Sequence, residues 1–328
     1  MQKEVILRFF PAILRAPWEA CEWNWDELEE IRIRVNQPVL MKGKDKEYAI
    51  TKDGLVLETK NIKEIGTCVI YCEKELEEML RHLCRDSIYA YEEERRQGFL
   101  TMAGGHRIGI TGELTHVDNQ SYIAKYIRYI NIRIAHEIKG IADEIMKWLM
   151  DGEQIWNTLI VSPPGAGKTT LLRDIVRNFS NGGEKYSGCC VGVIDERGEI
   201  AGAYRGIASL DCGIRTDVIT GGNKEQGIRI LVRTFAPRLI VMDEIGTSTD
   251  AEAIFFAGIS GCNVLATVHG NSWSDLERKE EINGLLTNRV FQRILFLHKD
   301  RKGTRYIEIW NEEGQCLCGE RLSQDCLS

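Results

Sequence analysis

The stretch that constrains this chain most runs from Thr158 to Arg173, T-L-I-V-S-P-P-G-A-G-K-T-T-L-L-R. A short apolar run, Thr158 to Val161, ends in a small, stiff, glycine-bearing loop, and an apolar periodic segment follows at once. The pattern reads as strand, phosphate loop, helix. Backbone N–H groups in such a loop point inward as an anion nest, and the positive end of the helix behind adds to it. The expected nucleotide contacts are Ser162, Pro163, Pro164, Gly165, Ala166, Gly167, Lys168, Thr169 and Thr170. Lys168 is placed to reach the terminal phosphates of ATP, and the Thr169 hydroxyl to ligate Mg²⁺. One position departs from G-x-x-x-x-G-K-[ST]: Ser162 stands where the first glycine is usual. The plain alternative is an ordinary turn that happens to contain G-K-T.

At 328 residues there is room for two domains with a real core. A net charge of -7 argues against a generally basic nucleic-acid binder, though not against a local basic groove. The 11 cysteines are scattered without C-x-x-C pairs, which reads as reduced thiols used as small hydrophobes in a cytosolic protein. No apolar run approaches the roughly 20 residues needed to span a bilayer, and no signal peptide is evident. Any membrane role is therefore expected to be peripheral or through a partner.

Taken in order, Gln2 to Ala16 reads as a short helix ended by Pro17. Ile31, Ile33 and Val35 alternate with Arg32 and Arg34, a strand pattern that turns at Asn36-Gln37-Pro38 into Val39-Leu40-Met41. Glu73 to Arg85 is an amphipathic helix with Leu76, Met79, Leu80 and Leu83 on one face, and Tyr89 to Arg96 a second short helix. Phe99 to Glu113 is a hairpin turning at Gly104-Gly105, with His106 and Arg107 as solvated residues just past the tip. Ile127 to Ile134 alternates again. A helix ends near Met150, and Asp151-Gly152-Glu153 is a polar break. The expected organisation is an α+β domain over 1–140, a helix and linker over 141–157, a phosphate-loop domain over 158–310 and a short tail over 311–328.

Past the boundary, strands alternate with helices, the mark of a parallel sheet. The expected strands are Thr158–Val161, Cys190–Ile194, Leu239–Met242, Asn263–Val268 and Arg293–Leu297. Ligands sit at the carboxyl ends of such strands. There the sequence puts the phosphate loop, then Asp195-Glu196-Arg197, Asp243-Glu244 and His269. Two carboxylates at the end of L-I-V-M-D-E are costly to bury unless a cation compensates. Asp243 is expected to hold the water shell of Mg²⁺, and Glu244 to orient and deprotonate an attacking water. A glutamate directly after the aspartate, and a strand between the phosphate-loop strand and the Asp243 strand, suggest the additional-strand class of RecA/AAA-like ATPases. The sheet order there is 5-1-4-3-2. It puts His269 beside the phosphate loop, where a neutral imidazole can sense the γ-phosphate; the plain alternative is a strand-end histidine without a role.

These strings resemble a known family. Asp195-Glu196-Arg197-Gly198-Glu199 is similar to the acidic box of secretion-type (type II/IV) traffic ATPases, and Thr267-Val268-His269-Gly270-Asn271 to their histidine box. Leu231 to Gly246 is similar to their segment through the metal-binding strand. Tyr91-Glu92-Glu93-Glu94, Gly104-Gly105-His106-Arg107, Asn131-Ile132-Arg133-Ile134-Ala135 and Arg215-Thr216-Asp217 resemble strings of a sporulation branch of that family, so the likeness spans nearly the whole chain. The resemblance implies an ATPase that forms ring hexamers, with nucleotide bound between subunits. It implies Glu196 and His269 as catalytic residues beside Lys168 and Glu244. It implies a cytoplasmic protein of the mother cell, peripheral at the membrane facing the forespore, with membrane-embedded sporulation channel proteins as partners. It also implies N-terminal-domain arginines against the phosphates, for which Arg107, Arg128 and Arg133 are the candidates. The rival expectations are a nucleic-acid-stimulated ATPase, which the acidic balance disfavours, and a nucleotide switch that does not hydrolyse, against which the Asp243-Glu244 pair argues.

Overall fold

The computed structural model describes residues 2–44, 46–84, 99–116, 122–184, 186–203, 206–299 and 304–321. The expected helix at Tyr89–Arg96, with the string Tyr91–Glu94, lies outside the described residues, as do positions 322–328 of the tail. The chain divides between His136 and Glu137 into two compact units.

The first unit is built on one antiparallel sheet. Its strands are β1 (Glu30–Arg34), β2 (Leu40–Gly43), β3 (Lys46–Ile50), β4 (Val56–Glu58), β5 (Phe99–Met102), β6 (His106–His116) and β7 (Tyr122–Arg133). They lie in the order β4-β3-β2-β1-β7-β6-β5. Period-two alternation puts Ile31 and Ile33 of β1 opposite Ile132 and Ile130 of β7, all buried on one face. The N-terminus is not one helix over Gln2–Ala16. Helix α1 (Gln2–Leu7) stops early, a 3₁₀ turn (Ala12–Leu14) follows Pro11, and α2 (Ala16–Ala20) carries Pro17 in its first turn. Proline has no N–H to donate and disfavours helical geometry in the residue before it, so Pro11 interrupts and Pro17 begins. Helix α3 (Glu73–Leu83) buries Leu76, Met79, Leu80 and Leu83.

The β5–β6 hairpin turns where expected, with φ of +91° at Gly104 and +73° at Gly105. His106 is not a solvated tip residue. It is 3 % exposed, because it shares the inward face of β6 with Ile108 and Ile110. Its Nδ1 accepts the Ala135 N–H at 3.1 Å, and its ring meets Phe9 edge-on. Burial, with a lesser contribution from His136, lowers its pKa to about 4.

The second unit is a sheet covered on both faces. Its strands are β8 (Thr158–Ser162), β9 (Val191–Asp195), β10 (Thr216–Thr220), β11 (Leu239–Met242), β12 (Asn263–His269), β13 (Arg293–Lys299), β14 (Arg305–Asn311) and β15 (Cys316–Arg321). The order is β10-β9-β11-β12-β8-β13-β14-β15. The six strands from β10 to β13 pair in parallel, and the hairpin β14–β15 is antiparallel. Counted in chain order, the five strands expected from the sequence lie 5-1-4-3-2. Alternation decides which face each residue covers. Ile160 joins a core with Leu171, Leu172 and Ile175 of α4 (Lys168–Asn181), while Leu159 and Val161 join the opposite core. Helices α5 (Lys224–Thr234), α6 (Ser248–Ile259) and α7 (Glu280–Thr287) pack against that second core, and the short helix Trp273–Glu277 adds Leu276 to it.

Three expectations change here. Residues 141–157 are not a linker: Ile141, Ala142, Ile145, Met146, Leu149 and Ile155 are buried in the first of these cores. The region from Asn311 is not a plain tail. Within it Cys316–Arg321 forms β15, which pairs with β14 beside the fully buried Ile307 and Ile309. Strand β10 was not expected; only partly buried, it reads from sequence as loop. Cys21, Cys68, Cys189, Cys212 and Cys262 are free thiols buried in the fold. Among the described residues, no helix is long and apolar enough to cross a membrane.

Candidate functional site

Six parallel strands end on one edge, and the ends of five of them, β8 to β12, with the segments that follow, line a cavity of about 610 Å³. The phosphate loop forms one wall. Gly165 and Gly167 hold φ of +75° and +102°, a region that L side chains rarely adopt, so glycine is required at both. Ser162 carries no such demand. It is the last residue of β8, paired opposite His269, and its extended backbone suits any residue. That is why the departure from the usual glycine is tolerated. Arg305 of β14 braces the loop from outside, donating Nε–H to the Ala166 carbonyl at 2.9 Å.

Of the expected contacts, Pro163, Pro164, Gly165, Gly167, Lys168, Thr169, Thr170, Glu196, Asp243, Glu244 and His269 line this cavity. Ser162 and Ala166 do not: both are buried behind the loop. Lys168 is 9 % exposed, and its Nζ has no hydrogen-bond partner among the described residues. Burial pushes its ammonium below the usual lysine range; Asp243, Glu244 and Glu199 oppose that shift. A buried cation without a partner is costly unless an anion meets it. The geometry therefore fits an anionic ligand above Gly167.

The acids arrive from adjacent strands. Asp243 follows β11 and accepts the Thr267 hydroxyl of β12 at 3.0 Å. Glu244 Oε1 stands 3.4 Å from His269 Nε2, and both side chains are a little over one-third exposed. His269 is fixed by its backbone: Lys279 Nζ donates to its carbonyl at 2.8 Å, and Gly270 N–H returns to the Ser162 carbonyl.

Asp195, at the end of β9, is fully buried and does not face the cavity. Its carboxylate accepts three backbone N–H groups, from Glu199 at 2.8 Å, Ile200 at 3.1 Å and Ala201 at 2.8 Å. Burial raises its pKa against the pull of those donors. Arg173 of α4 donates to the carbonyls of Ile200 and Glu199, so the same loop is gripped from both sides. Glu196, Arg197 and Glu199 are thereby presented to the cavity.

Sequence reasoning missed Lys224, Thr247 and Asp250, which also line it. Thr247 and Asp250 make a capping box at the start of α6, and T-x-x-D is a legible signal for one. Lys224 opens α5 directly after the unexpected strand β10, and without that strand nothing places it here.

The parallel sheet, the phosphate loop and the acids beyond it define a P-loop fold of the kind seen in motor ATPases. The chain is similar to the Legionella pneumophila ATPase DotB, with a TM-score of 0.55 at 17% identity over 88% of this chain and 78% of that one. It is similar to the pilus retraction motor PilT, solved with bound ADP, with a TM-score of 0.55 at 15% identity over 90% and 81%. At such identities the likeness concerns the fold. In sequence, residues 1–317 match the family described as "Sporulation stage III, protein AA". The chain is 33% identical over 299 residues to Stage III sporulation protein AA of Bacillus subtilis (strain 168), covering 91% of this chain and 92% of that protein. It belongs to the sporulation stage III protein AA family.

Proposed function

We propose that this chain binds and hydrolyses ATP in the cavity at the sheet edge. One observation carries the reading: the ammonium of Lys168, without a hydrogen-bond partner among the described residues, lies in the same cavity as Asp243 and Glu244. Lys168 holds the terminal phosphate oxygens. The Thr169 hydroxyl and the Asp243 carboxylate are hard oxygen donors that suit Mg²⁺, an ion that takes few protein ligands. When bound, Mg²⁺ neutralises charge on the phosphates. Glu244 orients a water and takes its proton as the water oxygen bonds to the γ-phosphorus; the bond to the bridging oxygen breaks and ADP leaves. His269, beside Glu244, contacts the γ-phosphate, and Glu196 assists from the opposite wall. Phosphoryl transfer asks mainly for such positioning and charge stabilisation.

The larger role follows the family. The chain works as a ring hexamer on the cytoplasmic side of the mother-cell membrane facing the forespore, powering or assembling a membrane-embedded channel. Phosphate release with ATP and Mg²⁺, compared between the native protein and Lys168→Ala, tests the enzyme reading. Turnover in the native protein and none in the variant is expected; equal turnover overturns it. Light scattering with ATP tests the ring, and a strict monomer counts against it.

A further inference from the structure

The ammonium of Lys224 has no place in the phosphate-loop chemistry, yet it stands in the same cavity. It lies 3.2 Å from Glu196 Oε2 and 3.3 Å from Asp250 Oδ2. The side chains of Lys224 and Asp250 are 11% and 10% exposed, while that of Glu196 is 47% exposed. The same Asp250 Oδ2 accepts the N–H groups of Gly246 at 2.9 Å and Thr247 at 3.1 Å. Lys224 therefore joins two loops that leave adjacent strands: the Glu196 loop after β9 and the loop that follows Glu244 after β11.

Asp250 has support without it, from the N–H groups of Gly246 and Thr247, the second of which is half of the capping box. Glu196 does not. Among the described residues, Lys224 is its one ion-pair partner. The Glu196 end of the bridge is half exposed and adds little to stability, while the nearly buried Lys224–Asp250 end holds the ammonium where Glu196 meets it. Lysine suits the place, because its three N–H donors can serve two acids at once and its charge relieves the repulsion between them.

We propose that Lys224 is a positioning residue: it holds the Glu196 carboxylate in place against the cavity and keeps the Glu196 and Glu244 loops in register. This rests on the ATPase reading above. Lys224 touches neither the phosphates nor the water. Its influence passes through Glu196, so it acts on turnover and not on ATP affinity.

Steady-state ATP hydrolysis on the full chain tests this. Lys224→Met lowers kcat about 10- to 100-fold, the range for a misplaced group, and leaves KM for ATP within about threefold. Glu196→Gln lowers kcat comparably, and the double variant is no slower than the slower single one, because both changes remove one unit. Lys224→Arg, which keeps the charge between the two acids, retains kcat within about threefold of native. A native kcat in Lys224→Met, losses that multiply in the double variant, a raised KM at unchanged kcat, or a Lys224→Arg as slow as Lys224→Met would each overturn the role. If Lys224→Met fails to fold, Glu196→Gln reads the bridge from its exposed end, and an unchanged kcat there overturns the role too. Lys168→Ala separates the two claims. Native turnover that survives Lys168→Ala removes the ATPase reading and Lys224's role with it. Turnover lost in Lys168→Ala but intact in Lys224→Met removes Lys224 alone.

Discussion

The loops that leave β9 and β11 open alike, with a buried apolar strand followed by an aspartate and a glutamate. Beyond that they diverge. In Asp195-Glu196-Arg197-Gly198-Glu199-Ile200-Ala201 the backbone turns back at Gly198, φ +68°, and three of its N–H groups saturate the Asp195 carboxylate. In Asp243-Glu244-Ile245-Gly246-Thr247 the Ile245 N–H goes instead to the Thr267 carbonyl at 2.7 Å. Asp243 is left with one hydroxyl donor and a face on the cavity. An acid pair at the end of a parallel strand is therefore not by itself a site. What decides is whether the backbone that follows spends its donors on the aspartate. The first loop uses its aspartate to close the fold, and the second leaves its aspartate available.

The largest expected consequence is a split in stability. Asp195→Ala strands three N–H groups, two of them buried, and costs about 3–5 kcal/mol in urea denaturation, against about 1 kcal/mol for Asp243→Ala. Equal losses would break the contrast. His106 extends it to the first unit, as another polar group closed into the fold. Its pKa is depressed to about 4 from 6.5, so its contribution is present above pH 6.5 and is lost as pH falls through 4. The shift corresponds to about 3 kcal/mol. Denaturation at pH 7 and pH 4 should show the native chain losing about that much more than His106→Gln; parallel losses would remove the assignment. Arg173→Met deprives the carbonyls of Ile200 and Glu199 of a charged donor and costs about 2–3 kcal/mol, seen as a lower Tm. An unchanged Tm would show that the Asp195 donors hold the loop alone. Ser162→Gly has the smallest effect. The hydroxyl is buried with no hydrogen-bond partner among the described residues and the backbone is extended, so stability falls by under about 1 kcal/mol and ATP turnover stays within about twofold.

The same contrast separates what could be read from the sequence from what could not. The phosphate loop was legible because Gly165 and Gly167 are needed for backbone conformation and Lys168 sits at fixed spacing after them. The buried strands were legible because they are continuous apolar runs. The hairpin at Gly104-Gly105 was legible from turn chemistry. His106 was misread because two glycines suggest an exposed tip, whereas strand alternation turns it inward with Ile108. Strand β10 was lost because T-D-V-I-T is half exposed at a sheet edge and carries no strong period. Lys224 was lost with it. Its partners, Glu196 and Asp250, lie 28 and 26 residues away on either side, and only the sheet order brings them together. Ile307 and Ile309 recur at every second position in the sequence, a period-two signal for the β14 strand.

The central claim is that Lys168, Asp243 and Glu244 share one catalytic pocket, with Glu244 acting on water and not on nucleotide affinity. Phosphate release measured beside ATP binding in Glu244→Gln tests it most directly. The expected result is native-like ATP affinity with turnover at least about 100-fold slower, the size of effect seen when a preorganised catalytic group is removed. Native turnover in Glu244→Gln, with ATP bound at the same site, would contradict it.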